Sequence, residues 1–168
     1  MNSHGSNINS LESLEKVFTK RITIYGAYFP GNELQRLKNL RNFLRKEGFK
    51  KVKLVRDYPR CFFKFPYIRE EDEFIYEKSI YCVEKSDMNV FIYTYKGKLE
   101  GETIELKYAI DEGKNFLVFV ETGKRLPACS RIITGLLRKI GIKYNPFPKN
   151  NDRHLQDAVF QRINEFFI

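Results

Sequence analysis

The stretch GETIELKYAIDEG, Gly101–Gly113, followed by Lys114 and the apolar run NFLVFV, decides the fold because it satisfies two periodicities at once. At 3.6 residues per turn it is a helix, with Ile104, Tyr108 and Ile110 facing inward and Glu105 in its first turns. At period two, Ile104, Leu106, Tyr108 and Ile110 alternate with Glu105, Lys107 and Ala109, which is a strand. The helix would be a crossover between parallel strands, whereas the strand would extend a sheet and bring Glu105 and Lys107 onto one face.

The chain before this stretch builds toward it. Arg21 to Tyr25 (RITIY) reads as a first buried strand, broken by the glycines and proline of Gly26-Ala27-Tyr28-Phe29-Pro30-Gly31. A helix follows, with Asn32 and Gln35 spaced as a capping box and an apolar stripe of Leu34, Leu37, Leu40 and Phe43/Leu44 ending at Gly48. Val52 to Val55 is a second strand, Glu70 to Lys85 is helix-compatible with Phe74, Tyr81 and Cys82 near one face, and Met88 to Tyr95 is a third strand. Behind the central stretch come a strand at Phe116 to Val120, a helix from about Ser130 to Ile140 and a short strand around Ile142 to Tyr144. The last helix, capped by Asn151 or Asp152, aligns Leu155, Val159, Ile163 and Phe166.

Strands alternating with helices predict an α/β chain: a three-layer flavodoxin-like or Rossmann-like domain with a mainly parallel five-stranded sheet over residues 21–168. Residues 1–20 read as a tail or short helical arm in which Leu11, Leu14 and Val17 recur at helical spacing. No run approaches transmembrane length and the N-terminus is polar, so a cytoplasmic protein with no membrane partner is expected. Cys61, Cys82 and Cys129 are widely separated with no C-x-x-C pair, which supports neither a disulfide framework nor a zinc site.

The formal charge of +9 favours phosphate-bearing partners. Between Lys50 and Arg69 seven Lys/Arg and one acid interleave with Tyr58, Phe62, Phe63, Phe65 and Tyr67, the composition of a nucleotide or nucleic-acid contact surface. The same loop is equally the pattern of a flap whose aromatics pack onto the domain while its charges face water. It and the N-terminal arm are also candidate self-association surfaces for a homo-oligomer.

In a parallel sheet, ligands bind at the carboxyl ends of the strands, so the loops beginning at Gly26, Arg56 and Lys96 are expected to share one rim. Read as a helix, the central stretch presents Glu105 near free backbone N–H groups, where a carboxylate serves as nucleophile or base, or simply complements the helix dipole together with Glu102. Read as a strand, Asp87 followed by Glu105-x-Lys107 matches the acidic pattern of the PD-(D/E)xK nucleases, whose carboxylates hold Mg²⁺. No Walker loop, G-x-G-x-x-G, H-E-x-x-H or Ser-His-Asp arrangement occurs, and beyond the nuclease pattern no metal or cofactor is implied.

Three segments resemble the nucleoside 2-deoxyribosyltransferase family, which shares a flavodoxin-like sheet related to TIR domains. They are the strand ending in Tyr25-Gly26-Ala27-Tyr28-Phe29, Ser86-Asp87 before MNVFIYTY, and Gly101-Glu102-Thr103-Ile104-Glu105-Leu106-Lys107-Tyr108-Ala109 before Gly113-Lys114. The resemblance implies that Glu105 attacks the anomeric carbon of a nucleoside or nucleotide and releases its base, and TIR-like members cleave NAD with a helix-borne glutamate. It implies a ligand site drawn from Tyr25, Gly26, Ala27, Tyr28, Arg56, Arg60, Asp87, Lys96, Lys98, Gly101 and Glu102, with the basic residues reaching phosphate. The chain departs from the family pattern at Ser79 and at Leu99 or Glu100, where acids are usual, and at Glu102 and Lys107, where small residues are. A binding module that kept the fold and lost the chemistry is the alternative implied by those departures.

Overall fold

A computed structural model describes residues 18–58, 71–97, 101–123 and 128–167. Its elements in chain order are β1 (Ile22–Gly26), α1 (Glu33–Lys46), β2 (Val52–Leu54), one 3-10 turn (Val55–Asp57), α2 (Glu71–Lys85), β3 (Met88–Tyr93), α3 (Glu102–Asp111), β4 (Phe116–Thr122), α4 (Ala128–Lys139), β5 (Asn145–Pro148) and α5 (Asp152–Phe167). All four strand pairings are parallel and the order across the sheet is β2-β1-β3-β4-β5, the flavodoxin-like doubly wound order.

The two-residue period of the strands sorts the core into two layers. Ile22, Ile24, Met88, Val90, Ile92 and Phe119 face one way and pack on Leu37, Leu40 and Leu44 of α1 and Leu155, Val159 and Ile163 of α5. Tyr25, Phe91, Tyr93, Val118 and Val120 face the other way, onto Phe74, Cys82 and Val83 of α2, Leu106 and Ala109 of α3, and Ile133 and Leu137 of α4. With both faces covered, the central strand β3 is buried along its whole length. Each fully buried Leu, Ile or Phe contributes roughly 1.5–3 kcal/mol of transfer free energy.

The central stretch is helical, which overturns the strand reading and the nuclease pattern with it. Two residues apart on a helix are about 200° apart, so Glu105 is buried while Lys107 is exposed and pairs with Asp111. Helix α3 ends in a Schellman motif: Lys114 N–H donates to Ala109 O at 2.8 Å across Gly113, whose φ of +60° a side-chain-bearing residue rarely adopts. That stop frees the chain to enter β4 at Phe116.

The inward face of α3 is also different from the one its apolar residues predict. Glu102, Glu105, Leu106 and Ala109 are buried at i, i+3, i+4 and i+7, whereas Ile104 is 53% exposed and Tyr108 and Ile110 are half-buried. The capping box at Asn32 does not form: its side chain caps nothing and Gln35 donates to Asn39 instead. Asn151 does cap α5, accepting from His154 N–H at 3.0 Å, and Phe166 lies outside the buried stripe of that helix. The fifth strand falls at Asn145–Pro148, after the predicted Ile142–Tyr144. An edge strand is hydrogen-bonded on one side only, so Pro146 and Pro148 are tolerated where Asn145 and Phe147 face β4.

Candidate active site

Because every strand is parallel, the carboxyl ends of β1 and β3 lie side by side, and the chain leaves them toward opposite faces of the sheet. This is the switch point where doubly wound sheets bind ligands. Small residues let the two exits approach. A Cβ on Gly26 would lie 3.0 Å from both Ile92 O and Leu37 Cδ2, and one on Gly97 would lie 2.8 Å from Ala27 Cβ. On the α2/α3 side of this junction a hollow of about 200 Å³ opens, with Tyr25, Gly26 and Tyr28 on one wall and Gly101, Glu102 and Glu105 on the other.

Glu105 reaches the hollow because α3 turns the face of residues 102, 105, 106 and 109 inward, and it is 7% exposed. Its side chain folds back over Gly101, where the missing Cβ leaves room. Burial raises its carboxyl above the ordinary glutamate range, and its own amide N–H offsets part of the rise. The Ser79 proton goes to Tyr76 O at 3.0 Å. Glu105 Oε2 is buried with no hydrogen-bond partner among the described residues. An oxygen so placed accepts from, or bonds to, whatever enters the hollow.

The opposite wall is aromatic. Tyr25 stacks on Phe91 with ring centroids 4.7 Å apart, and its hydroxyl donates to Asn89 Oδ1 at 3.1 Å. Asn89 is fixed in turn by donating to Val83 O and Asn115 O. Burial pushes the Tyr25 phenol well above its ordinary range and pushes Tyr28 up to about 12, the latter moderated by Arg56. The Arg56 guanidinium is exposed and stands 5.9 Å from the centre of the Tyr28 ring, so a cation stands over one wall of the hollow.

Beside this hollow, sharing Ile75, Ser79, Gly101 and Glu105, lies a second space of about 240 Å³ bounded by Tyr76 and Ile104. Ile75, Tyr76 and Ile104 are each about half exposed around it, at 53%, 46% and 53%. The Glu105 carboxylate is thus common to a tyrosine-lined space and an apolar one.

Not every residue expected at the rim joins this group. Asp87 is at the amino end of β3, on the far edge of the sheet, where its carboxylate accepts from Arg21 N–H at 2.7 Å. Ala27 is buried against Gly97 and contributes spacing only. Lys96 lines a different, larger hollow of about 740 Å³ on the α1/α5 side, with Arg36, Glu121 and Lys149. Arg60, Lys98 and most of the basic aromatic loop fall outside the described residues, as does the N-terminal arm to residue 17. Ser79, at the position where the family pattern has an acid, lies beside Glu105, and two contributors were not expected from sequence: Ile75 as an apolar wall, and Asn89 as the anchor of Tyr25. A polar residue at the second position of the buried run MNVFIY is the one local signal for the last of these. Among the described residues no group of three His, Cys, Asp or Glu could hold a metal ion, and no helix is long and apolar enough to cross a membrane.

No protein-family model matches the chain, and no curated protein matches it. Among solved structures it is similar to the CMP N-glycosidase BcmB of Clostridium botulinum, with a TM-score of 0.53 at 14% identity, over 83% of this chain and 98% of that one. At that identity the likeness is one of fold, and it spans nearly the whole of the glycosidase.

Proposed function

We propose that this chain is a divergent relative of the nucleoside 2-deoxyribosyltransferases that binds a nucleoside or nucleotide at the β1/β3 junction and cleaves or transfers its N-glycosidic bond through Glu105. The observation that carries the reading is the buried Glu105 carboxylate, with one oxygen unpartnered, aimed into a hollow at the switch point. Departure of a base leaves oxocarbenium-like charge at the anomeric carbon, and a desolvated carboxylate beside it stabilises that charge before bonding to it. The fold shared with a CMP N-glycosidase supports the same chemistry.

The two hollows that meet at Glu105 suit the two halves of such a ligand: together they come into the 300–1,000 Å³ range of small-molecule sites. Tyr28 and Tyr25 pack against the ligand, backbone amides near Gly26 and Gly101 receive its polar groups, and Arg56 at the mouth favours a phosphorylated one. The chain's net charge of +9 points the same way.

The test is chromatographic detection of free base after incubation with nucleosides, nucleoside monophosphates and NAD, run beside Glu105→Gln. Base release by the wild type and its loss by at least about 10³-fold in the variant is the expected outcome. Nucleotide binding without base release in either protein would leave a non-catalytic binding module.

A further inference from the structure

Breaking an N-glycosidic bond at a neutral base is aided by an acid as well as a nucleophile, because the base leaves as an anion unless it is protonated. The described residues lining the Glu105 hollow offer few candidates. Tyr25 has its hydroxyl engaged by Asn89, and the phenols of Tyr25 and Tyr28 are both pushed upward by burial, away from easy proton release. The Ser79 proton is held by Tyr76 O. Glu102 is the second carboxyl group of the hollow: 7% exposed, it lines the same space as Glu105 and stands one helical turn before it on the buried face of α3.

Resting on the N-glycosidic reading above, we propose that Glu102 is the general acid that protonates the departing base, so that α3 alone supplies both carboxyl groups of a double-displacement mechanism. In the first step the C1′–N bond breaks with its electron pair going to the base, the base takes the Glu102 proton, and a Glu105 oxygen bonds to C1′. In the second, a water oxygen bonds to C1′, the ester C1′–O bond breaks with its pair returning to Glu105, and the proton released by the water goes to Glu102. Nucleotide and water become free base and sugar phosphate, and both carboxyl groups are restored. A single helix fixes the spacing of the two groups through its own backbone.

The experiment is the pH dependence of kcat/KM for AMP, GMP, CMP and UMP with wild type, Glu102→Gln and Glu102→Asp, alongside nicotinamide mononucleotide, whose pyridinium leaves as neutral nicotinamide without a proton. Glu102→Gln should cut turnover of the neutral-base nucleotides by at least about 100-fold and abolish the alkaline fall in rate. It should leave the first-turnover release of nicotinamide from nicotinamide mononucleotide within about threefold, since that bond breaks without an acid. Steady turnover of the same substrate should slow, because Glu102 also takes the proton of the attacking water, a split that acid–base catalysis predicts and a general loss of structure does not. Glu102→Asp, which keeps the carboxyl group, should restore the alkaline limb at a reduced rate. A Glu102→Gln enzyme that keeps the wild-type limb, or slows first-turnover base release from all five substrates alike while its melting curve is unchanged, overturns the assignment. A wild type that releases no base from any of the five removes the N-glycosidic reading itself and this assignment with it.

Discussion

Gly101 lies directly beneath the Glu105 carboxylate: a Cβ built on it would stand 3.3 Å from Oε1 and 3.5 Å from Oε2. The backbone there is helical, with φ −60° and ψ −31°, so the glycine is not needed for a left-handed turn. Its role is lateral space. Gly101→Ala should therefore leave stability within about 1 kcal/mol, since alanine is at home in helical geometry. The methyl group meets the far end of a flexible side chain, so the carboxylate yields. We expect a loss of about 10–100-fold in turnover with an unchanged melting temperature. A melting temperature that falls in step with activity would make Gly101 a folding residue instead.

The raised pKa of Glu105 has a sign that stability measurements can read. Burial disfavours its charged form, so the folded pKa lies above the unfolded one. The folded state is favoured by this group below the ordinary glutamate range and loses that contribution as pH rises through the folded pKa. At neutral pH the wild type carries the penalty of a desolvated carboxylate, and Glu105→Gln does not. The variant should be inactive and melt a few degrees higher at pH 7, in the manner of other relieved functional sites. The gap should close as pH falls below the ordinary glutamate range. A gap that is constant from pH 4 to pH 8 would show that the carboxylate is not under electrostatic strain.

How much of this was legible beforehand follows from the physics of each segment. RITIY and MNVFIYTY are short apolar runs between clear breakers, and their strands stand within a residue or two of where they were expected. The central stretch was ambiguous because its apolar residues fit both periods. What resolves it is not local: the parallel pairing of β3 with β4 demands a crossover, and Gly113 terminates a helix. Its buried face was illegible for a different reason. Hydrophobicity points to Ile104 as inward, but the helix buries Glu102 and Glu105, and burying carboxyl groups while exposing isoleucine runs against transfer free energy. Lys96 leaves β3 at its carboxyl end but lines the hollow on the α1/α5 side, where Gly97 leaves no room for a side chain beside Thr94 and Ala27, a detail no periodicity encodes.

The larger hollow on the opposite face is governed by an ion network with a structural role. Arg36 stands 3.2 Å from Glu121 Oε1, 2.7 Å from Asp152 Oδ1 and 3.6 Å from Glu33 Oε2. Glu121, 2% exposed, also accepts from Tyr95 N–H at 2.5 Å and Asn150 N–H at 2.9 Å, tying the segments after β3 and β5 to the start of α1. Removing the cation strands a buried carboxylate, so Arg36→Ala should destabilise by about 3–5 kcal/mol in urea unfolding. Amide exchange at Tyr95 and Asn150 should accelerate with it. A change under about 1 kcal/mol would place the network in the class of surface ion pairs.

Tyr25 separates packing from chemistry in the site. Its ring is stacked on Phe91 and its hydroxyl is held by Asn89, whose amide is oriented independently by Val83 O and Asn115 O. Tyr25→Phe keeps the stacked wall and orphans Asn89 Oδ1 in the interior, which costs about 1–3 kcal/mol. Since the hydroxyl already has a partner and burial holds it protonated, it should contribute little to bond breaking. The expected result is a lowered melting temperature with kcat within about threefold of wild type. Tyr25→Ala, which removes the wall itself, should raise KM as well and destabilise by about 3–5 kcal/mol. A Tyr25→Phe enzyme that folds as stably as wild type but loses about 100-fold in kcat would mean that the hydroxyl leaves Asn89 for the ligand, and the acid assigned to Glu102 would then have a competitor on the opposite wall.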